Sequence, residues 1–262
     1  MAYTITKYHL PQSNEIEIHW AGKYGAKGEK RAPKEKATPD QVRRQNQWKK
    51  ECECRRTMKL NFVKGDLWCT LLYPKGSRKT IEEIANDTKK FIGKIRRAYH
   101  KRGADLKYMI RYEIGTKGGI HVHVLVNQLR GEPPDDMLLQ EKWTNGRVHF
   151  VRFGGEEEDY RKLSEYLVKG ASEQQKEKLD KLSPKERKAL MKYSTSRNLI
   201  RPKPEKKPYR RRTVRTLVEE GPKPSKGYVI DKESIITGIN RFTGTSYMYY
   251  TEILVDPGGR SG

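Results

Sequence analysis

The stretch RYEIGTKGGIHVHVLVNQ, from Arg111 to Gln128, sets two histidines one residue apart in an apolar run, with a glutamate just before it across a glycine-rich turn. Side chains alternate faces along a strand, so His121 and His123 share one face while Val122 and Val124 share the other. The preceding run, LKYMIRYEI, alternates Leu106, Tyr108, Ile110, Tyr112 and Ile114 against Met109, Arg111 and Glu113. Between the two, GTKGG supplies the glycines that a hairpin turn with positive φ requires. The expectation is an antiparallel pair over residues 106–114 and 120–127, with Glu113 able to lie beside the two imidazoles.

Working outward, LWCTLLY reads as a short strand stopped by Pro74 and Gly76. TIEEIANDTKKFIGKIRRAYHKRG follows, with Thr80 as N-cap and Glu83 as its reciprocal partner. Its stripe of Ile81, Ile84, Thr88, Phe91, Ile95 and Ala98 keeps helical spacing, and Gly103 marks the stop. After the hairpin come a short helix over 135–143, a strand in GRVHFVRF and a helix in EEEDYRKLSEYLVKG closed by Gly170. The order β-α-β-β-α-β-α is satisfied by one antiparallel sheet with helices on a face, an α+β class with a ferredoxin-like sheet.

Three consecutive regions are expected. Residues 1–62 form a basic N-terminal extension, with a glycine- and lysine-rich loop over 20–36 and a basic helix opened by Thr38, Pro39 and Gln41 and running to about Asn61. Residues 63–172 form the core. Residues 173–262 form a basic C-terminal region: charged helix or disorder, then the proline-broken RNLIRPKPEKKPYRRRTVRTL. Strands around the turn NRFTGT come last, either folding back onto the main sheet or forming a small β unit.

The formal net charge of +23 far exceeds what solubility requires and points to a polyanion, with nucleic acid the leading candidate. Only 34% of residues are hydrophobic, so the core must be concentrated in part of the chain. No apolar run approaches the roughly 18 residues of a membrane span. MAYTITKYHL also lacks the apolar centre of a secretory signal, so the expected location is cytoplasmic, with no membrane partner. Cys52, Cys54 and Cys69 are too few and too irregular for a disulfide framework or a zinc site, and are read as reduced thiols. There is no internal repeat and no phosphate-binding loop of the G-x-x-x-x-G-K-S/T kind, hence no nucleotide-driven motor.

Two imidazoles and one carboxylate, open on the remaining sides, make a divalent metal site of His121, His123 and Glu113. The bland alternative is a pair of histidines on the solvated face of a strand; non-haem iron is an outside alternative. On a strongly basic protein, an open divalent ion suits Lewis-acid polarisation of a phosphodiester. In DYRKLSEYLVKG the helical wheel sets Lys162, Tyr166 and Lys169 on one face and Tyr160, Leu163 and Leu167 on the apolar stripe. Tyr166 is then a candidate nucleophile standing among lysines that hold the scissile phosphate and stabilise a phenolate. The plain reading of the same residues is a snorkelling aromatic on a solvated helical face.

The WCTLLY strand, the histidine–hydrophobic–histidine strand and the later Tyr-x-x-Lys resemble the HUH endonucleases: rolling-circle replication initiators of phages and plasmids, relaxases and some transposases. RNLIRP, YRRRTVR and EEGPKP are similar to the rolling-circle replication-associated (Rep) proteins of clostridial mobile elements, akin to those of filamentous phages. The resemblance implies the HUH endonuclease fold, with Mg²⁺ or Mn²⁺ held by His121, His123 and Glu113. It implies Tyr166 as the nucleophile on single-stranded DNA at a replication origin, leaving a 5′-phosphotyrosine and a free 3′-hydroxyl. Lys169 matches the lysine of Tyr-x-x-Lys, positioning the phosphate or protonating a leaving oxygen. Larger initiators carry Tyr-x-x-x-Tyr, whereas position 162 is lysine, so a single-tyrosine enzyme is expected, with Tyr160 packing.

His149 is a further candidate ligand whose plainer reading is an ordinary strand histidine. Trp68 and Tyr73 are candidates for stacking bases or, more simply, for packing. Arg210, Arg211 and Arg212, with Lys162, are expected to meet the DNA backbone. Host helicase or polymerase is a further candidate partner. The competing class is a ferredoxin-like sheet that binds DNA or RNA without cutting.

Overall fold

The computed structural model describes residues 2–22, 31–115, 119–170, 180, 182–211 and 213–255. In chain order the elements are β1 (Tyr3–His9), β2 (Ser13–Trp20), α1 (Pro39–Lys59), β3 (Leu67–Leu72), α2 (Ile81–Lys101), β4 (Tyr108–Ile114), β5 (Ile120–Val126) and α3 (Asp135–Lys142). They continue as β6 (Arg147–Arg152), α4 (Glu157–Val168), α5 (Pro184–Met191), β7 (Ser194–Thr195), β8 (Glu205–Pro208), α6 (Arg215–Glu220), β9 (Tyr228–Asn240) and β10 (Thr245–Leu254). Contacts divide the chain into two compact units, Gln47–Ile200 and a discontinuous one made of Met1–Asn46 with Arg201–Gly262. The second unit is assembled from both ends of the chain.

In the unit Gln47–Ile200 the strands lie in the order β6-β3-β5-β4-β7, all antiparallel. Without the two-residue β7, this is the ferredoxin-like order that β-α-β-β-α-β connectivity produces. β3 shows why: Leu67, Cys69 and Leu71 are fully buried, while Trp68, Thr70 and Leu72 between them are not. α2 lays Ile84, Phe91, Ile95 and Tyr99 against that buried face, together with Trp143 beyond α3. Burying one such side chain stabilises by about 1.5–3 kcal/mol, so this stripe outweighs any local propensity. Thr80 accepts from the Glu83 backbone and the Glu83 side chain reaches back, forming the expected capping box. Past the helix, Gly103 takes φ +68°.

Helices cover both faces of this sheet rather than one. The end of α1 (Cys54, Met58) and α4 (Tyr160, Leu167, Val168) pack with Phe62, Met109, Leu125 and Phe153 on the face opposite α2. α1 opens as expected, with Thr38 and Gln41 exchanging hydrogen bonds of 2.9 and 3.3 Å. All three cysteines are free and buried, and burial pushes the Cys69 thiol up and keeps it protonated.

The other unit holds a second antiparallel sheet in the order β8-β1-β2-β10-β9. Its core joins Tyr3, Ile16, Ile18, Met248 and Tyr250 with Val214. The NRFTGT turn is present, closed by Gly244 N–H donating to the Asn240 carbonyl at 2.7 Å. The C-terminal strands thus neither join the main sheet nor stand alone, since β10 pairs with β2 of an N-terminal hairpin. Residues 3–20, which the sequence presents only as extension, are that hairpin. Of the basic loop expected over 20–36, residues 23–30 lie outside the described residues. So do residues 116–118 of the β4–β5 turn, 171–179 of the charged segment, and Arg212.

Candidate active site

Strand register makes the first placement. Glu113 lies across from His121 and Arg111 across from His123, so all four share a face, and Thr70 of β3 flanks His123 on its other side. The same face runs on into Met109 and Leu125, which are fully buried. One end of the face is therefore core and the other polar. His123 sits at the border, 8% exposed, with Glu113 and His121 half-buried beyond it.

The His123 ring is held on two sides. Its Nδ1 lies 3.1 Å from Thr70 Oγ1, and the ring stacks on Trp68 with centroids 5.4 Å apart and planes 5° from parallel. Its Nε2 lies 3.3 Å from Glu113 Oε2 without the alignment of a hydrogen bond, and this buried nitrogen has no hydrogen-bond partner among the described residues. Burial lowers the His123 pKa, against the opposing pull of Glu113. A histidine shifted that way is neutral at pH 7, the form that ligates a metal.

Tyr166 arrives on the last turn of α4. Its hydroxyl donates to Glu113 Oε2, and its ring stands edge-on to His123 at 5.3 Å and to Trp68 at 5.8 Å. Burial, then the hydrogen bond and charge of Glu113, push the phenol above its ordinary pKa, with Arg111 pulling the other way. Lys162 is exposed and pairs with Glu158 at 2.8 Å, while Lys169 is exposed at the C-cap. The phenol meets Trp68 of β3, Glu113 of β4 and His123 of β5.

Arg111, a residue the sequence puts on the right face without a role, links these parts. It is 8% exposed and donates to the carbonyls of Leu167 at 3.0 Å and Lys169 at 2.7 Å. Carbonyls of a helix's last turn lack intrahelical partners and favour a cation. The guanidinium fork thereby fastens the turn that carries Tyr166 to the strand that carries Glu113. An arginine amid apolar alternation is the available signal, but its target lies 56 residues away in sequence.

The remaining candidates are spread more widely. His149 is exposed on β6 opposite Thr70, so β3 separates it from His123 by two strand spacings, about 10 Å. Tyr160 is buried and donates to the Phe62 carbonyl at 2.7 Å, a packing role. Tyr73 donates to Asp87 at 3.1 Å and packs edge-on against Trp143. Arg210 and Arg211 are exposed beyond β8 in the other unit.

Among the described residues, no three His, Cys, Asp or Glu side chains are placed so as to hold a metal ion, His121, His123 and Glu113 included. Two of the three, His123 and Glu113, are donors of the type a divalent cation takes. A buried imidazole nitrogen lacks a partner beside a carboxylate, and its other nitrogen is held by Thr70, the kind of outer contact that orients metal-binding histidines. The His121 ring centroid is 6.3 Å from that of His123. Its Nε2 packs over Gly115, where a Cβ would lie 3.2 Å away.

Fold and site together define an α+β protein whose ferredoxin-like sheet carries a His-x-His strand facing a helical tyrosine. Residues 66–175 match a family of replication-associated proteins, the ORF2 type, and this segment contains Glu113, His121, His123, Tyr166 and Lys169. The match covers less than half of the chain. No curated protein and no solved structure gave a significant match. No helix among the described residues is long and apolar enough to cross a membrane.

Proposed function

We propose that the protein initiates rolling-circle replication by nicking and rejoining single-stranded DNA at an origin, in the manner of an HUH endonuclease. The observation that carries this reading is the convergence of the Tyr166 hydroxyl, the Glu113 carboxylate and the His123 imidazole on one half-open face. Tyr166 attacks the scissile phosphorus, forming a phenolic O–P bond as the P–O3′ bond breaks. The phenolic proton passes to Glu113, which already accepts its hydrogen bond. The leaving 3′-oxygen takes a proton, a role assigned to Lys169 of the Tyr-x-x-Lys motif. A 5′-phosphotyrosine and a free 3′-hydroxyl result, and reversal rejoins the strand.

His121, His123 and Glu113 would hold Mg²⁺ or Mn²⁺, which supplies Lewis-acid polarisation of a non-bridging phosphate oxygen. Arg111 keeps α4 seated, Trp68 keeps the His123 ring in place, and Arg210 to Arg212 with Lys162 contribute sequence-independent attraction to the backbone. The 3′-end would then be extended by a host polymerase with a host helicase. Relaxases and transposases use the same chemistry, and the family match favours replication.

A second reading, a replication-associated protein that binds nucleic acid without cutting, has one observation in its favour: burial and Glu113 keep the phenol protonated. A nicking assay separates the two. Labelled single-stranded origin DNA with Mn²⁺ should be cut by the wild type, and not by Tyr166→Phe or after chelation. Unchanged cutting by Tyr166→Phe, or none by the wild type on any strand of its own element, overturns the proposal.

A further inference from the structure

We propose that the cleft beside His121 seats one nucleotide of the single strand immediately next to the scissile phosphate. This rests on the nicking reading for the identity of that phosphate. The cleft has a volume of about 490 Å³ and lies between the loop Tyr73–Lys79, the first turn of α2 and the start of β5. That is within the roughly 300–1,000 Å³ of small-ligand pockets, enough for a nucleotide but not for a folded strand.

Its chemistry is sorted as a nucleotide needs. Ile84, Ile120 and Tyr73 form an apolar wall, and Tyr73 is fixed there by Asp87 and Trp143. Lys79 is matched locally, 2.5 Å from Asp87 and 5.0 Å over the Tyr73 ring. Lys75 and Arg78 also line the cleft; both are exposed and pair with no acidic group among the described residues. His121, a member of the candidate metal set, lines the cleft beside Gly119 and Ile120, so a strand crossing that set runs next to the cleft. Base on the apolar wall and phosphate on Lys75 and Arg78 satisfy both halves of the lining.

The test uses the full chain in a Tyr166→Phe background, so that binding is read without reaction. Lys75→Ala/Arg78→Ala should weaken binding of a single-stranded oligonucleotide about tenfold and lower the salt slope by about 1–2. Lys90→Ala/Lys101→Ala, an equal charge loss on the exposed face of α2, should weaken it less than about twofold. Equal losses in the two pairs, or none in the first, overturn the cleft. Free deoxynucleoside monophosphate should not displace the oligonucleotide; displacement from the parent but not from Lys75→Ala/Arg78→Ala makes the occupant a free nucleotide and overturns the strand assignment. If the otherwise wild-type chain forms no covalent adduct while the cleft pair still loses affinity, the nicking reading falls and the cleft stands as a strand-binding site. If the adduct forms and the cleft pair binds undiminished, the cleft alone falls.

Discussion

The hydroxyl of Tyr166 donates to the carboxylate of Glu113, the residue that faces His121 across the β4–β5 ladder. A helix and a hairpin distant in sequence are thus joined by the two groups proposed to exchange a proton. Glu113→Gln keeps a side-chain acceptor for the phenol, so folding stability should stay within about 0.5 kcal/mol of wild type, as for most half-exposed substitutions. Mn²⁺ binding by calorimetry should be lost and adduct formation should fall by about a hundredfold, the scale expected for a proton acceptor. Full Mn²⁺ affinity in the variant would remove Glu113 from the metal set.

Arg111 should be needed for stability and geometry together. Arg111→Met strands the carbonyls of Leu167 and Lys169 and is expected to cost about 2–3 kcal/mol in chemical denaturation. Arg111→Lys retains the charge but not the fork, and should recover part of the stability while adduct formation stays slow. Wild-type rates in the lysine variant would show that the seat of α4 does not govern Tyr166.

Gly146 tests the packing that sets the β3–β6 edge. Its φ is +148° and an added Cβ would lie 2.2 Å from the Leu72 carbonyl oxygen, a backbone atom that cannot swing aside. Gly146→Ala should therefore destabilise by about 3 kcal/mol or more. A thermal midpoint matching wild type would contradict this placement.

How much of this the sequence discloses differs from part to part. The period-two pattern of 106–127 puts Glu113, His121 and His123 on one face, because strand alternation is local. The capping residues Thr80, Glu83, Thr38 and Gln41 are equally local and equally readable. By contrast, Ser13–Trp20 carries the same alternation, Ile16, Ile18 and Trp20 against Glu15, Glu17 and His19, but its pairing with β10 at the far end of the chain is not local information. The helical wheel sets Tyr166 off the apolar stripe of α4 but does not say which partners that face meets, here Glu113, His123 and Trp68. The Arg111 contacts and the stacking of Trp68 on His123 depend on tertiary placement alone.

Asp87 should lend the fold a weak acid sensitivity. Burial would raise its carboxyl, but the bonds from Lys79 and Tyr73 outweigh that and hold the pKa below the ordinary 3.8. A carboxyl lowered in the folded state contributes stability above its unfolded pKa, and this is lost as pH falls through the lowered value. Asp87→Asn should therefore cost about 1 kcal/mol at pH 7, for a partly exposed pair, and progressively less as the pH falls below the ordinary carboxylate range. A loss in acid equal to that at neutral pH would contradict the assignment.

The most direct measurement is peptide mapping of the covalent complex formed on single-stranded origin DNA with Mn²⁺. Mass spectrometry after protease digestion should find the nucleotide attached through a 5′-phosphate to Tyr166, in the peptide that ends α4. Attachment at another residue, such as Tyr160, or cutting with no covalent peptide at all, would contradict the account.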